Sequence, residues 1–325
     1  MPRRRWRRKG LPLVGLVGVA GTVALALARA AWADPRGAAL PVVVVRHATG
    51  TVEIHGLDPG SGMAALLAAA AARAASELPV RLGVDLPPRV HVVYCAEART
   101  FARLAGRAAA GRLLGVARPA DSLAALNGPL LQPGPENGAA GTLRHELAHL
   151  ALGIAAERAG PLPRWFDEGA ASWFAGGFAE LGPLDLAAAA GRPGLGLGGL
   201  ADGFPEDPDG ARIAYARSQL ALELLEREHG AGTVAGLGRA LAAGVPFAAA
   251  PGAVAGESEA GLDRALARSL APHGLLLAVL RRSLSPVMVM AGLVVVGFAI
   301  RRLRYRRRLR QWQREEERSG EGREP

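Results

Sequence analysis

The sequence predicts an α+β fold, with a small N-terminal part containing strands and a helical C-terminal part. Three observations predict it. Short runs rich in β-branched residues fall before residue 130 of the chain body. Helical periodicity takes over from residue 140. Basic charge is concentrated at the two ends, where it flanks apolar segments. The 325 residues suffice for one large domain or two small ones, and half of them are hydrophobic, so a sizeable core can form.

The elements follow in order. Residues 42–46 and 51–55 read as short strands around Thr49-Gly50. Residues 62–77 form an Ala-rich helix, and Pro87-Pro88 breaks the chain before a strand at 90–95. Residues 98–110 read as a helix with Phe101, Leu104 and Ala105 on one face, and 113–116 and 122–126 as two further strands. The Pro- and Gly-rich stretch 131–138 is a loop. Helices are expected at 141–158, ended by Gly160-Pro161, at 165–178, at 211–229 and at 261–270. The alternating glycines of 191–199 have no strand leading into them and read as a loop, not a phosphate cradle. Cys95, the only cysteine, lies in an apolar run and reads as a small buried hydrophobe.

The ends read as membrane segments. Residues 1–10 hold five Arg and one Lys, an apolar run follows to about residue 30, and Ala31-Trp32-Ala33 supplies a small-x-small site. Residues 1–33 are therefore a signal peptide or an N-terminal anchor. Residues 284–300 carry no charge and are long enough for a short transmembrane helix. Seven arginines in 301–310 then hold the tail, 301–325, in the cytoplasm. Residues 34–283 become an extracytoplasmic domain of a cell-membrane protein, single-pass after signal cleavage. Residues 284–310 are placed against membrane lipid. Between the ends the body is nearly neutral, with 23 basic and 24 acidic residues over 11–300, which excludes a nucleic-acid partner.

The chemistry centres on His145-Glu146-Leu147-Ala148-His149 within an expected helix. Histidines at i and i+4 lie one above the other, so both rings can reach one ion. Glu146 is turned about 100° away and can reach a water without being a ligand. A catalytic zinc needs a third protein ligand and an open position. Glu168 is the candidate, in Pro163-Arg164-Trp165-Phe166-Asp167-Glu168-Gly169-Ala170-Ala171, with Asp167 as its competitor. A helix, a turn at Gly160-Pro161 and an antiparallel return would bring it beside the histidines. The remaining histidines, His47, His55, His91, His229 and His273, read as surface or core residues.

These motifs, together with the strand at 90–95 and Ala214-Tyr215-Ala216-Arg217-Ser218, resemble the peptidase MA-like (gluzincin) zinc metallopeptidases, in the form of a bacterial membrane-anchored member. The resemblance covers roughly residues 80–272. It implies a zincin-like domain with one Zn2+ per chain on His145, His149 and Glu168, and Glu146 as general base. It also implies Tyr215 as a donor to the oxyanion, the alternative being a core tyrosine, and a peptide or protein as substrate. Many gluzincins carry an Asp four residues after the third ligand that supports a zinc histidine; here Ser172 stands there, which leaves that support unassigned. Trp165 and Trp173, with Phe166, Phe174 and Phe178, are either a substrate wall or packing that stiffens the ligand helix. The alternative to an enzyme is a catalytically silent, zinc-stabilised binding module anchored in the membrane.

Overall fold

A computed structural model describes residues 42–106, 111, 113–133, 138–176 and 196–271, together with 293–295, 298, 301 and 302. Met1–Leu270 form one compact unit and Ala271–Pro325 a second. In the second unit Leu293, Val294, Val295, Phe298, Arg301 and Arg302 are helical and exposed. The rest of the expected span 284–300, the tail beyond residue 302, the segment 1–33, Phe178, His273 and residues 191–195 of the glycine-rich loop lie outside the described residues.

The described part of the first unit opens on a hairpin, because two β-branched runs flank a two-residue turn: β1 (Val42–His47) pairs antiparallel with β2 (Gly50–His55), Val42 opposite His55. The chain returns through α1 (Gly62–Arg81) to β3 (Arg89–Cys95), parallel to β2. After α2 (Ala98–Ala105) come β4 (Gly115–Arg118) and β5 (Leu123–Asn127). The order β1-β2-β3-β5-β4 puts β5 parallel to β3 in the interior and leaves β4 antiparallel at the edge.

The two-residue period of the strands sorts the core. Val52, Ile54, Val90, Val92, Ala124 and Leu126 form one face, packed with Leu67, Ala71 and Leu78 of α1 and Leu143, Leu147 and Leu150 of α3 (Ala139–Ala159). Val93, Cys95, Leu123 and Ala125 form the other, under Phe101 and Leu104 of α2. Cys95 is the buried hydrophobe expected, its thiol pushed up to about 12 by burial. Then follow α4 (Arg164–Ala175), α5 (Pro208–His229), α6 (Thr233–Ala242), α7 (Ala250–Ala255) and α8 (Glu259–Leu270). By length and composition α1 is the one described helix able to cross a membrane, but its Leu67–Leu78 stripe is fully buried in this core.

Several boundaries differ from the sequence expectation. α1 runs through Pro79 to Arg81, because Leu78 is buried and its carbonyl accepts from the Leu82 N–H, 2.8 Å. β4 lies two residues later than expected, its register fixed by Gly115 opposite Leu126 on the wholly buried β5. α4 stops at Gly176, whose φ of 101° closes the helix. α5 starts three residues early, with Asp207 accepting from the Gly210 N–H at 2.7 Å and Pro208 at its first position. α6 and α7 were not anticipated from the sequence.

Candidate metal centre

The helix that carries the two histidines is buried on most of its sides, between α1, α4, α6 and the sheet. That burial follows from small residues: a Cβ on Gly153 would come within 2.3 Å of Pro119, so only glycine lets α3 lie against that loop. Gly160, at φ 88°, ends α3, and Pro163 opens α4, giving the tight return expected.

The return brings three donors together. His145 Nε2 and His149 Nε2 are 3.0 Å apart, and Glu168 Oε2 lies 3.4 and 3.5 Å from them. All three atoms fall within 4.8 Å of one another. Four ligands at 2.0–2.1 Å around a tetrahedral zinc are separated by about 3.3 Å, so the spacing fits such an ion. Glu168 Oε2 is buried and makes no hydrogen bond of good geometry, while Oε1 is held by the Arg164 guanidinium one turn earlier. One oxygen is thus tied down and the other is aimed at the histidines. Two imidazoles and a carboxylate are the donor set of a catalytic zinc, and the residues present fit the ion.

Asp167, weighed above as a rival ligand, has a different place. Its Oδ1 lies 2.8 Å from His149 Nδ1, on the side of the ring away from the cluster. It is placed to orient the His149 ring, as a carboxylate behind a metal-binding histidine would. Support left open by Ser172 therefore comes to His149 from the residue next to the third ligand. Ser172 itself is buried, and its hydroxyl has no hydrogen-bond partner among the described residues.

Charge follows from this geometry. Burial works against a charged His149, but Asp167 and Glu168 outweigh it and hold its pKa well above the ordinary value. His145 is lowered, by burial first, with Glu168 opposing. Glu168 is also disfavoured by burial, yet the two imidazoles hold its carboxyl well below the usual range. Glu146 is pushed up to about 7, chiefly by burial. Its side chain lies against β4: a Cβ at Gly115 would come within 2.6 Å of Glu146 Oε1.

Glu146 and the three donors line a cavity of about 820 Å³, walled by Leu114, by Gly115, Val116 and Ala117 of β4, and by Leu162, Arg164 and Tyr215. Tyr215 is half-buried on α5, edge-on to Phe204 with centroids 4.9 Å apart. Burial and the neighbouring Glu168 raise its hydroxyl pKa.

Neither tryptophan lines the cavity. Trp165 is buried against Phe166 and Phe247 and donates to Glu259 Oε1 at 2.9 Å. Trp173 lies under the Arg81 guanidinium, 4.4 Å from its ring centre. Both belong to the packing that fixes α4. Arg81 donates to the carbonyls of Trp173 and Phe174, at 3.1 and 3.0 Å, and Arg144 to that of Phe174 and to Glu77, each at 2.8 Å. Two cations thus cap the carbonyl end of the helix that carries Glu168.

Sequence reading brought together His145, Glu146, His149, Glu168 and Tyr215, and the structure gathers all five around one cavity. It missed Arg164, whose signal was its i,i+4 spacing from Glu168, and Gly115, an isolated glycine in a strand.

No protein-family model and no curated protein matches the chain. Among solved structures it is similar to crystal structures of an M1 zinc metallopeptidase from Deinococcus radiodurans (18% identity over 72% of this chain and 51% of that one, TM-score 0.42) and of a mutant of an M1 zinc metallopeptidase from the same organism (17%, 70% and 51%, TM-score 0.44). A two-domain M1 zinc metallopeptidase mutant bound to L-arginine is similar at 18% identity, 70% and 51% coverage and TM-score 0.43. The chain spans about half the length of each. Likeness at this level carries no functional weight.

Proposed function

We propose that the chain is a zinc-dependent metallopeptidase that hydrolyses peptide bonds at the outer face of the cell membrane. One zinc is held by His145, His149 and Glu168, with Glu146 as general base. The observation that carries this reading is the convergence of the three donors on the wall of a cavity that a buried carboxyl, Glu146, also lines.

A bound zinc would polarise a carbonyl and acidify a water. Glu146 takes the proton from the attacking water and delivers it to the leaving amine. A carboxyl raised to about 7 suits that shuttle near neutral pH, and a cation beside it lowers the value. Tyr215, on the same cavity, donates to the oxygen on which negative charge develops. A peptide is the favoured substrate because β4 is an edge strand along the cavity wall, where an extended backbone can add to the sheet. The membrane setting rests on the apolar and basic segments 1–33, 284–300 and 301–325.

The test is peptide-library cleavage by the full-length, zinc-loaded protein in detergent, read by mass spectrometry. Wild type cleaves. Glu146→Gln keeps its zinc and does not cleave, and Tyr215→Phe keeps its zinc with turnover lowered about 10²–10³-fold. A wild type that holds zinc and cleaves nothing sinks the peptidase reading and leaves the zinc-stabilised binding module.

A further inference from the structure

A second set of donor atoms converges on the opposite face of the sheet, on strands instead of helices. β2 and β3 run parallel with Glu53 opposite His91, and His55 follows two residues along β2 on the same face. His55 Nε2 lies 3.4 Å from His91 Nδ1. Glu53 Oε2 lies 3.4 Å from His91 Nδ1 and 3.9 Å from His55 Nε2. All three donors fall within 4.8 Å of one another. These separations are at or beyond the long limit of hydrogen bonding. They are close to the roughly 3.3 Å edges of a tetrahedron around an ion 2.0–2.1 Å from each ligand.

The competing arrangement is a plain ion pair, since Arg89 Nε is 3.6 Å from Glu53 Oε1. That contact uses the other carboxylate oxygen, and Arg89 is largely exposed, where such a pair contributes little. Oε2 stays turned to the two rings. His55 is itself buried. Burial first, then His91, lowers its pKa to about 4 against the opposing pull of Glu53.

We propose that Glu53, His55 and His91 form a second divalent-cation site, for zinc or a similar imidazole-binding transition metal, separate from the α3–α4 centre. The backbone ladder of two interior strands fixes the ligands, so little reorganisation accompanies binding. Glu53 and His91 are only partly buried, which leaves a side for water as the remaining ligand and for entry of the ion. The bound ion would cross-link β2 to β3.

The test is metal stoichiometry of the full-length protein, stripped by chelator, reloaded with zinc and freed of excess. Wild type is expected to hold two zinc ions per chain. Glu53→Gln and His91→Gln, checked for native circular dichroism, hold one; His149→Ala holds one; and His91→Gln with His149→Ala holds none. A wild type with a single zinc that His149→Ala removes overturns the site, as does undiminished zinc in Glu53→Gln. If the α3–α4 centre fails instead, wild type holds one zinc that His149→Ala keeps and Glu53→Gln loses, which supports this site alone. A second readout leaves the sheet untouched: in His149→Ala, zinc shifts the ring resonances of His55 and His91, and unmoved resonances overturn the proposal.

Discussion

At the scale of single residues, His149 is held between two carboxylates, with Asp167 on Nδ1 at 2.8 Å and Glu168 facing Nε2 at 3.5 Å. Burial opposes its charge and the carboxylates outweigh it, so the metal-free ring keeps its proton to higher pH than an ordinary imidazole. The sign follows from a raised value in the folded state. This stabilisation is complete below the ordinary 6.5 and is lost as pH rises through the raised value. Zinc must expel that proton, so uptake below the raised value releases protons from this site, and affinity climbs with pH until the ring is neutral. Asp167→Asn keeps the shape and removes the charge. It should shrink the proton release, move the pH dependence down toward 6.5 and weaken zinc about 10–100-fold. Calorimetry in two buffers of different ionisation enthalpy reads both quantities, and unchanged proton release would remove Asp167 from this role. His145, Glu146 and His149 were legible in the sequence because the helical period alone decides that they share a site. Which of Asp167 and Glu168 ligates was not decided by period, since neighbours on a helix point about 100° apart. The return through residues 160–163 settles which one faces the histidines.

At the scale of elements, the position of α4 decides where Glu168 stands. α4 lies close against α5 at Gly169, where a Cβ would come within 2.9 Å of the Ser218 carbonyl oxygen and 3.0 Å of its carbon. Helix propensity favours Ala over Gly by about 0.8–1 kcal/mol. Overpacking against backbone costs about 1–3 kcal/mol and cannot be relieved by a rotamer change. Packing outweighs propensity here, so Gly169→Ala should lower stability in urea at unchanged m and weaken zinc by displacing the adjacent ligand. A stabilised variant with full zinc affinity would show that α4 and α5 have slack. The close approach also separates what sequence could and could not give at this scale. α3 announces itself through the spacing of His145, Glu146 and His149, and β3 through its β-branched residues. α6 and α7 consist largely of Ala and Gly, and their helices are set by what they pack on. Gly83 shows this: its Cβ would strike the Ala235 carbonyl oxygen in α6 at 1.9 Å, a contact 152 residues away.

At the scale of the molecule, the three donors proposed for the α3–α4 centre lie within residues 145–168, so an ion bound there would close only a short helical hairpin. Local closure alone would stabilise that hairpin and little else. α3, however, is wedged between the sheet, α1 and α6, with Leu143, Leu147 and Leu150 in the same core as Val52, Ile54 and Val92. The hairpin cannot open without exposing that core, so binding at the hairpin should stabilise the whole first unit. In a Glu53→Gln background, where only the α3–α4 centre is loaded, zinc at 100 times its Kd should add about 2.7 kcal/mol. For a unit of this size that is a rise in thermal midpoint of roughly 5–10 °C. A chelator should reverse it, and His149→Ala should abolish it. Hydrogen exchange distinguishes global from local stabilisation. Zinc should slow exchange of the β3 and β5 amides by the same free energy as those of α3. Protection confined to residues 139–175 would mean that the hairpin opens independently, and that the shared core does not couple the metal centre to the sheet.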